Sequence, residues 1–235
     1  MEKQLLKIGH IPAILWGASS DRWFIAVHGD QSNKADQVIA ILAEVAGKKG
    51  YQTLSFDLPE HGERKEDAQQ CDPQTCTAEL GRILAYVHET GNARQVSLFG
   101  CSMGAYFSML ALHKEPLAQA LLLSPVVDME RLIRNMMAWF SVSEERLRQE
   151  GQVETPMKTL SWDYYQYVVN HPVQWDQPTA LLYGEADALC EYDTVKRFAE
   201  HSRADLTVME QGEHFFHTEE QLAFLRQWLQ EQIRE

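Results

Sequence analysis

The sequence predicts an α/β fold in which a mostly parallel central sheet is flanked by helices on both faces. Two observations support this prediction: short apolar segments recur along the chain, and amphipathic stretches with helical spacing separate most of them. Parallel strands need crossover connections, which usually contain a helix. Such strands are covered on both faces and are therefore apolar along their whole length. The 235 residues fit one domain of this class, covering 1–235.

The first part of the chain supplies extended segments and one helix. Residues Gln4–Trp16 are extended with a break at 9–12, and Trp23–Val27 reads as a buried strand. An amphipathic helix follows, and Ser32 and Asn33 are its candidate N-cap residues. Its apolar face is formed by residues at i, i+3, i+4 and i+7, namely Val38, Ile41, Leu42 and Val45.

The middle of the chain continues this alternation. Asp72-Pro73 combines an N-cap residue with a proline at the first helical position, so a helix is predicted to begin there. A second helix is predicted at Met103–His113. The predicted strands of this region are Tyr51–Phe56, Gln95–Phe99 and Ala118–Leu123.

The alternation stops after Ser124-Pro125 and resumes at Thr179. We expect a small helical cap insertion at about 128–177, because a helical apolar pattern is followed there by an aromatic-rich stretch. After the cap, two strands and two helices are predicted, the last helix with a capping box at Thr218 and Gln221. The other three elements are Thr179–Tyr183, Asp193–His201 and Asp205–Met209.

The composition argues against several classes of function. A formal net charge of −13 repels phosphate backbones, and no cluster of Lys and Arg offsets it, so no nucleic-acid partner is expected. No apolar stretch reaches the roughly 20 residues that span a bilayer, and the first residues lack the pattern of a signal peptide. We therefore expect a cytoplasmic protein. The four cysteines lack paired C-x-x-C spacings, which favours reduced thiols, and no metal ion is expected.

One motif carries chemistry. Gly100-Cys101-Ser102-Met103-Gly104 is a G-x-S-x-G sequence between a predicted strand and a predicted helix. In such a strand-to-helix turn, the glycines avoid steric collisions and the serine hydroxyl is held exposed at the end of the sheet. The N-terminus of the following helix favours developing negative charge. Ser102 is therefore the candidate nucleophile, and Cys101 is interpreted as a packing residue.

A nucleophilic serine needs a base, and the base needs an orienting carboxylate. Asp187 follows the strand that ends at Tyr183, and His214 follows the strand that ends at Met209. The loops at the carboxyl ends of parallel strands are where the active sites of such sheets collect. Asp187 and His214 are therefore the preferred acid and base. The alternatives left open are Asp128, Asp193 and Glu185 for the acid and His217 for the base.

With the order Ser102, Asp187, His214, the chain resembles the α/β-hydrolase superfamily, and in particular its esterase- and lipase-like serine hydrolases, over nearly its whole length. Residues 27–30, Val-His-Gly-Asp, resemble the oxyanion loop of that superfamily, and residues 57–64 resemble its D-x-P-G-H-G turn. The resemblance implies an α/β-hydrolase fold with an oxyanion hole made by the backbone N–H groups of Asp30 and Met103. Asp30 places a carboxylate where many members have a neutral residue, and Glu60 replaces a common glycine.

The resemblance also sets the expected activity, which is hydrolysis of a carboxylic ester with a short or medium acyl chain through an acyl-enzyme. This chemistry needs no cofactor. A thioesterase, lipase, amidase or peptidase would use the same three residues, and a non-catalytic binding protein is the alternative from another class. The loop histidines His28 and His61 are interpreted as structural.

Overall fold

The computed structural model describes residues 1–91 and 93–234. The strands of this part of the chain are β1 (Lys3–Ile8), β2 (Ile11–Trp16), β3 (Arg22–Val27), β4 (Gln52–Phe56), β5 (Gln95–Cys101), β6 (Ala120–Leu123), β7 (Gln152–Val153), β8 (Leu160–Ser161), β9 (Thr179–Gly184) and β10 (Asp205–Met209). The helices are α1 (Gln37–Lys48), α2 (Pro73–Gly91), α3 (Met103–Leu112), α4 (Met129–Trp139), α5 (Glu144–Glu150), α6 (Trp162–Asn170), α7 (Tyr192–Ser202) and α8 (Glu219–Gln232).

Eight of these strands form one sheet in the order β1-β2-β4-β3-β5-β6-β9-β10. β2 pairs antiparallel with both β1 and β4. In the order β4-β3-β5-β6-β9-β10, each strand pairs parallel with its neighbour. The parallel strands β3, β4, β5, β6 and β9 are buried along nearly their whole length, whereas the edge strand β10 is buried only at Met209. The predicted α/β class is therefore confirmed. The exposed antiparallel strand β1 closes one edge.

A hydrophobic core lies on each face of the sheet. On one face, α1 and α8 pack through residues such as Leu42, Val45, Leu225 and Trp228. On the other face, α2, α3 and α7 pack together with the apolar residues of α4 and α6. Because both faces are covered, the strand ends are the part of the sheet that remains available to a ligand.

Of the three helix N-caps predicted from the sequence, those of α2 and α8 are present and that of α1 is not. Asp72 accepts a hydrogen bond from the Thr75 N–H at 2.7 Å, and Thr218 and Gln221 form the predicted capping box of α8. The prediction of Ser32 or Asn33 as the cap of α1 is wrong. Asp36 is the N-cap, and its side chain accepts from the Val38 N–H at 3.2 Å. The loop before α1 is therefore three to four residues longer than the sequence suggested.

The segment between β6 and β9 contains α4, α5, α6 and the two-stranded antiparallel sheet of β7 and β8. The helices α4 and α6 coincide with the two apolar stretches in the sequence. Neither α5 nor the β7–β8 pair was predicted. Among the described residues, no helix is both long enough and apolar enough to cross a bilayer.

Candidate active site

Ser102 lies in a sharp turn between β5 and α3. Its backbone has φ 50° and ψ −121°, a strained combination for a residue with a side chain. The turn is held from both sides: the Ser102 N–H donates to the Leu123 carbonyl at 3.0 Å, and the Ser102 carbonyl accepts from the Val126 N–H at 3.2 Å. Hydrogen bonds to the neighbouring strand end thus fix the backbone that presents the hydroxyl.

The loops after β9 and β10 come into direct contact. A Cβ on Gly184 would lie 2.4 Å from the Gly212 carbonyl oxygen, so only glycine fits at the end of β9. The Ala186 N–H donates to that same Gly212 carbonyl at 2.7 Å. This close approach brings the loop with Asp187 against the loop with His214.

The structure brings Ser102, His214 and Asp187 into one hydrogen-bonded chain. The Ser102 hydroxyl lies 2.8 Å from His214 Nε2, and His214 Nδ1 lies 2.7 Å from Asp187 Oδ2. The Asp187 side chain is fully buried, whereas one fifth of the His214 side chain is exposed. This geometry fixes a tautomer in which Nδ1–H donates to the carboxylate and Nε2 accepts from the serine.

The second oxygen of Asp187 is held by its own loop. Oδ1 accepts hydrogen bonds from the Leu189 and Cys190 N–H groups, both at 2.8 Å. A carboxylate with two backbone donors on one oxygen cannot rotate freely, so Oδ2 stays directed at His214. Sequence reasoning missed these two donors, because a backbone contact leaves no residue pattern.

The other candidates for acid and base have different partners. Asp128 is the N-cap of α4 and accepts from the Arg131 N–H at 2.9 Å. Asp193 lies in the first turn of α7, and Glu185 accepts from the Gln211 N–H at 3.1 Å. His217 Nδ1 lies 2.8 Å from the Phe215 carbonyl oxygen. Among the described residues, none of these side chains forms a hydrogen bond with Ser102 or His214.

A cavity of about 540 Å³ opens over Ser102 and His214. Its lining is predominantly apolar, and the segment between β6 and β9 contributes one wall. Residues of that wall include Met129, Ile133, Met136, Leu160 and Tyr164. Asp30 and Met103 also line the cavity, and within the described hydrogen-bond network neither backbone N–H donates to a protein acceptor.

The two loop histidines beneath the cavity differ in charge. His28 is fully buried, its Nδ1–H donates to the Gly29 carbonyl at 2.7 Å, and its Nε2 accepts from the Leu58 N–H at 3.0 Å. This pattern requires a neutral ring, and burial lowers the pKa of His28 to about 4. His61 Nδ1 lies 2.7 Å from the Pro59 carbonyl oxygen, and its Nε2 lies 3.1 Å from Asp30 Oδ1.

The Asp30 carboxylate stands where many members of the superfamily that the sequence resembles have a neutral residue. It has two cationic neighbours. Besides His61 Nε2, Oδ1 has Lys158 Nζ at 3.4 Å. The hydrogen bond with His61 lowers the pKa of Asp30 to about 2, and the positive charge of Lys158 acts in the same direction against partial burial. Lys158 was not identified from the sequence, because 128 residues separate it from Asp30.

The motif at 57–64 stabilises the loop beneath the cavity. Asp57 accepts from the Lys34 N–H at 2.8 Å, from Lys34 Nζ at 2.6 Å and from the Glu63 N–H at 3.0 Å. The buried Arg64 guanidinium pairs with the buried Glu79 carboxylate at 2.6 Å. These contacts support the loop that carries His61.

One group of described residues has the composition of a metal site. The possible ligand atoms of Asp187, Cys190 and His214 all lie within 4.8 Å of one another. Two of the three already share the 2.7 Å hydrogen bond between His214 and Asp187. Burial raises the pKa of the Cys190 thiol, which disfavours the thiolate that a metal ion would require. The hydrogen-bonded arrangement therefore accounts for this cluster without a cation.

Solved structures with similar folds span nearly the whole chain. Est1E from Butyrivibrio proteoclasticus with bound ferulic acid has a TM-score of 0.79 at 16% identity, with coverage of 97% of this chain and 96% of that chain. Alpha/beta hydrolase domain-containing protein 10 from mouse has a TM-score of 0.76 at 14% identity, with 98% of each chain covered. The esterase Pf2001 from Pyrococcus furiosus has a TM-score of 0.68 at 18% identity, with coverage of 98% and 88%.

Comparison at the level of sequence gives two results. A search of curated proteins finds no match to this chain. The model of the alpha/beta hydrolase family matches residues 16–227, which include Ser102, Asp187, His214 and the six strands of the large sheet from β3 onwards in the chain. The chain therefore belongs to the alpha/beta hydrolase family.

Proposed function

We propose that the protein is a serine hydrolase that cleaves carboxylic esters through an acyl-enzyme intermediate. The observation that carries this proposal is the hydrogen-bonded chain from Asp187 through His214 to Ser102 at the wall of an apolar cavity. A buried carboxylate, an oriented imidazole and a serine that lines the cavity are the parts that nucleophilic acyl transfer requires.

In the proposed reaction, His214 Nε2 takes the Ser102 proton while Oγ attacks the ester carbonyl carbon. Asp187 holds the imidazole in the correct tautomer and stabilises the imidazolium that forms. His214 then donates its proton to the leaving alkoxide, which departs as the alcohol. Water, deprotonated by His214, attacks the acyl-enzyme, and the acid is released with Ser102 restored.

The oxyanion of each tetrahedral intermediate would be stabilised by the backbone N–H groups of Asp30 and Met103. Both residues line the cavity and both N–H groups lack a protein acceptor in the described network, which supports this role. Met103 is also the first residue of α3, so the helix dipole acts in the same direction. Each such donor typically contributes about 10² to 10³ in rate.

We further propose that residues 128–177 form a cap on a single catalytic domain. The cap residues Met129, Ile133 and Met136 line the cavity, and their side chains are flexible or branched apolar groups suited to an acyl chain. The cavity volume of about 540 Å³ and this apolar wall favour esters of short or medium acyl length.

The proposal is tested by mass spectrometry after treatment with a fluorophosphonate, together with hydrolysis of nitrophenyl esters of increasing acyl length. Ser124→Ala is a matched control for Ser102→Ala, because Ser124 follows the adjacent strand β6, also has a positive φ and also lines the cavity. An ester of ferulic acid belongs in the panel, since ferulic acid is bound to the similar Est1E.

We expect one phosphonate on the wild type and on Ser124→Ala, and none on Ser102→Ala. Ester turnover should disappear with the label. A folded wild type that takes up no label and hydrolyses no ester would refute the proposal and favour a binding protein. Labelling with turnover of thioesters or amides, but not of oxygen esters, would keep the nucleophile and change the substrate class.

A further inference from the structure

The Asp30 side chain presents an electrostatic problem for the proposed function. An inference from this side chain rests on that function. The Asp30 backbone N–H is a proposed oxyanion donor, yet the same residue, which lines the cavity, carries a carboxylate. Two negative charges at close range repel, and this repulsion is strong where water is partly excluded. An unpaired Asp30 carboxylate would therefore oppose the charge that develops during the attack by Ser102.

Two cations from separate parts of the chain meet this carboxylate at one oxygen. His61 Nε2 lies 3.1 Å and Lys158 Nζ lies 3.4 Å from Asp30 Oδ1. His61 is buried in the loop after β4, whereas Lys158 belongs to the proposed cap and is two-fifths exposed. The core and the proposed cap thus each contribute one positive group.

The charge on His61 follows from its partners. Nδ1 faces the Pro59 carbonyl and Nε2 faces the Asp30 carboxylate, and both partners are acceptors only. Both ring nitrogens must then carry a proton. Although burial opposes the charged form, the hydrogen bonds with Asp30, Cys71 and the Pro59 carbonyl raise the pKa of His61 to about 10.

The position of Lys158 is fixed by a tight turn. The Thr155 hydroxyl donates to the Lys158 carbonyl at 2.7 Å and accepts from the Lys158 N–H at 3.1 Å. Residues 155–158 are therefore held in one conformation at the cavity mouth. The backbone of Lys158 is therefore held by contacts other than the one between its side chain and Asp30.

We propose that His61 and Lys158 are positioning residues that neutralise and hold the Asp30 carboxylate, so that the Asp30 N–H can stabilise the oxyanion. Neither side chain takes part in a proton transfer or touches the reacting atoms. Because the oxyanion exists only after the attack, loss of either cation should lower kcat and leave KM nearly unchanged.

The test is a set of double-mutant cycles read out by ester hydrolysis. His61→Gln and Lys158→Gln are made in the wild type and in Asp30→Asn, and kcat and KM are measured for each. Lys196→Gln, an exposed position on α7, is the control for the change in net charge. Melting temperatures of all variants identify any loss of folding, to which the partly exposed Lys158 position is less prone than buried His61.

In the wild-type background we expect each substitution to lower kcat by about tenfold, and Lys196→Gln to change it by less than about twofold. In the Asp30→Asn background, where no carboxylate remains to be neutralised, the same substitutions should cost less than about threefold. Equal losses in both backgrounds, or losses in KM rather than kcat, would overturn the proposal and leave the Ser102 chemistry intact. Absence of any Ser102-dependent turnover in the wild type would overturn the proposal together with the proposed function.

Discussion

At the scale of single residues, the strained turn at Ser102 depends on what lies beneath it. Gly104, two residues into the turn, packs directly on the backbone of the loop after β3. A Cβ at this position would lie 2.2 Å from the His28 carbonyl oxygen and 2.8 Å from the Val27 carbonyl oxygen. Both are backbone atoms at the buried end of a central strand, so they cannot move aside without displacing the loop that carries Asp30.

We therefore predict that Gly104→Ala lowers the free energy of unfolding by about 3 kcal/mol or more, because a backbone clash in a packed core has no inexpensive relaxation. Gly81→Ala is the matched control: Gly81 lies inside α2, and a Cβ there meets nothing within 4 Å. It should stabilise the protein by about 0.5 to 1 kcal/mol, since alanine is the better helix former. Urea denaturation measures both, and a Gly104→Ala protein as stable as the wild type would contradict the described packing.

At the scale of elements, the sequence predicted the parts whose signals are local. The strands β3, β5 and β9 are continuous apolar runs, and α2 and α8 begin at recognisable caps. The helix α5 was not predicted, because it has a single buried residue, Leu147, and thus no apolar face. The strands β7 and β8 have two residues each, too few for an alternating pattern.

The candidate site divides in the same way. Ser102, Asp187 and His214 each follow a predicted strand within a short loop, so topology alone brings them to one edge of the sheet. Their catalytic roles stay predictions, as does the cytoplasmic location. The contacts of Asp30 depend on where residue 158 of the cap segment lies. A local sequence pattern cannot show that two residues so far apart in the chain are neighbours, so the contacts of Asp30 could be found only in the structure.

The start of α4 yields a prediction about the acid. Asp128, the alternative acid, caps α4 through its Oδ1, a role that asparagine fills as well. Asp128→Asn should therefore keep ester hydrolysis within about twofold of the wild type. In Asp187→Asn, the amide oxygen should stay at the Oδ1 position, where it accepts from the Leu189 and Cys190 N–H groups. The amide NH2 group then faces His214 Nδ1 and cannot accept its proton, so kcat should fall by about 10³ to 10⁴. Steady-state kinetics of the two variants distinguish the acids, and a larger loss in Asp128→Asn would reverse the assignment.

At the scale of the whole molecule, charge and topology act on the same cavity. The cavity lies at the carboxyl edge of the sheet beneath the segment between β6 and β9, and its charged lining comprises Asp30, Asp36 and Lys158. Lys158 is already paired with Asp30, so the cavity offers no unpaired positive side chain among the described residues. The whole chain carries a net charge of −13, which favours a negative potential around the molecule.

This potential predicts how the rate depends on salt for substrates of different charge. An anionic substrate such as nitrophenyl hydrogen succinate is repelled at low ionic strength, and salt removes the repulsion as the Debye length falls from about 30 Å at 0.01 M to about 10 Å at 0.1 M. We expect kcat/KM for this ester to rise about two- to fivefold over that range. Nitrophenyl butyrate, which has a similar length and no charge, should show no change. If kcat/KM for the anionic ester fell instead, Lys158 would outweigh the acidic surface and would be acting as a binding site for the substrate carboxylate.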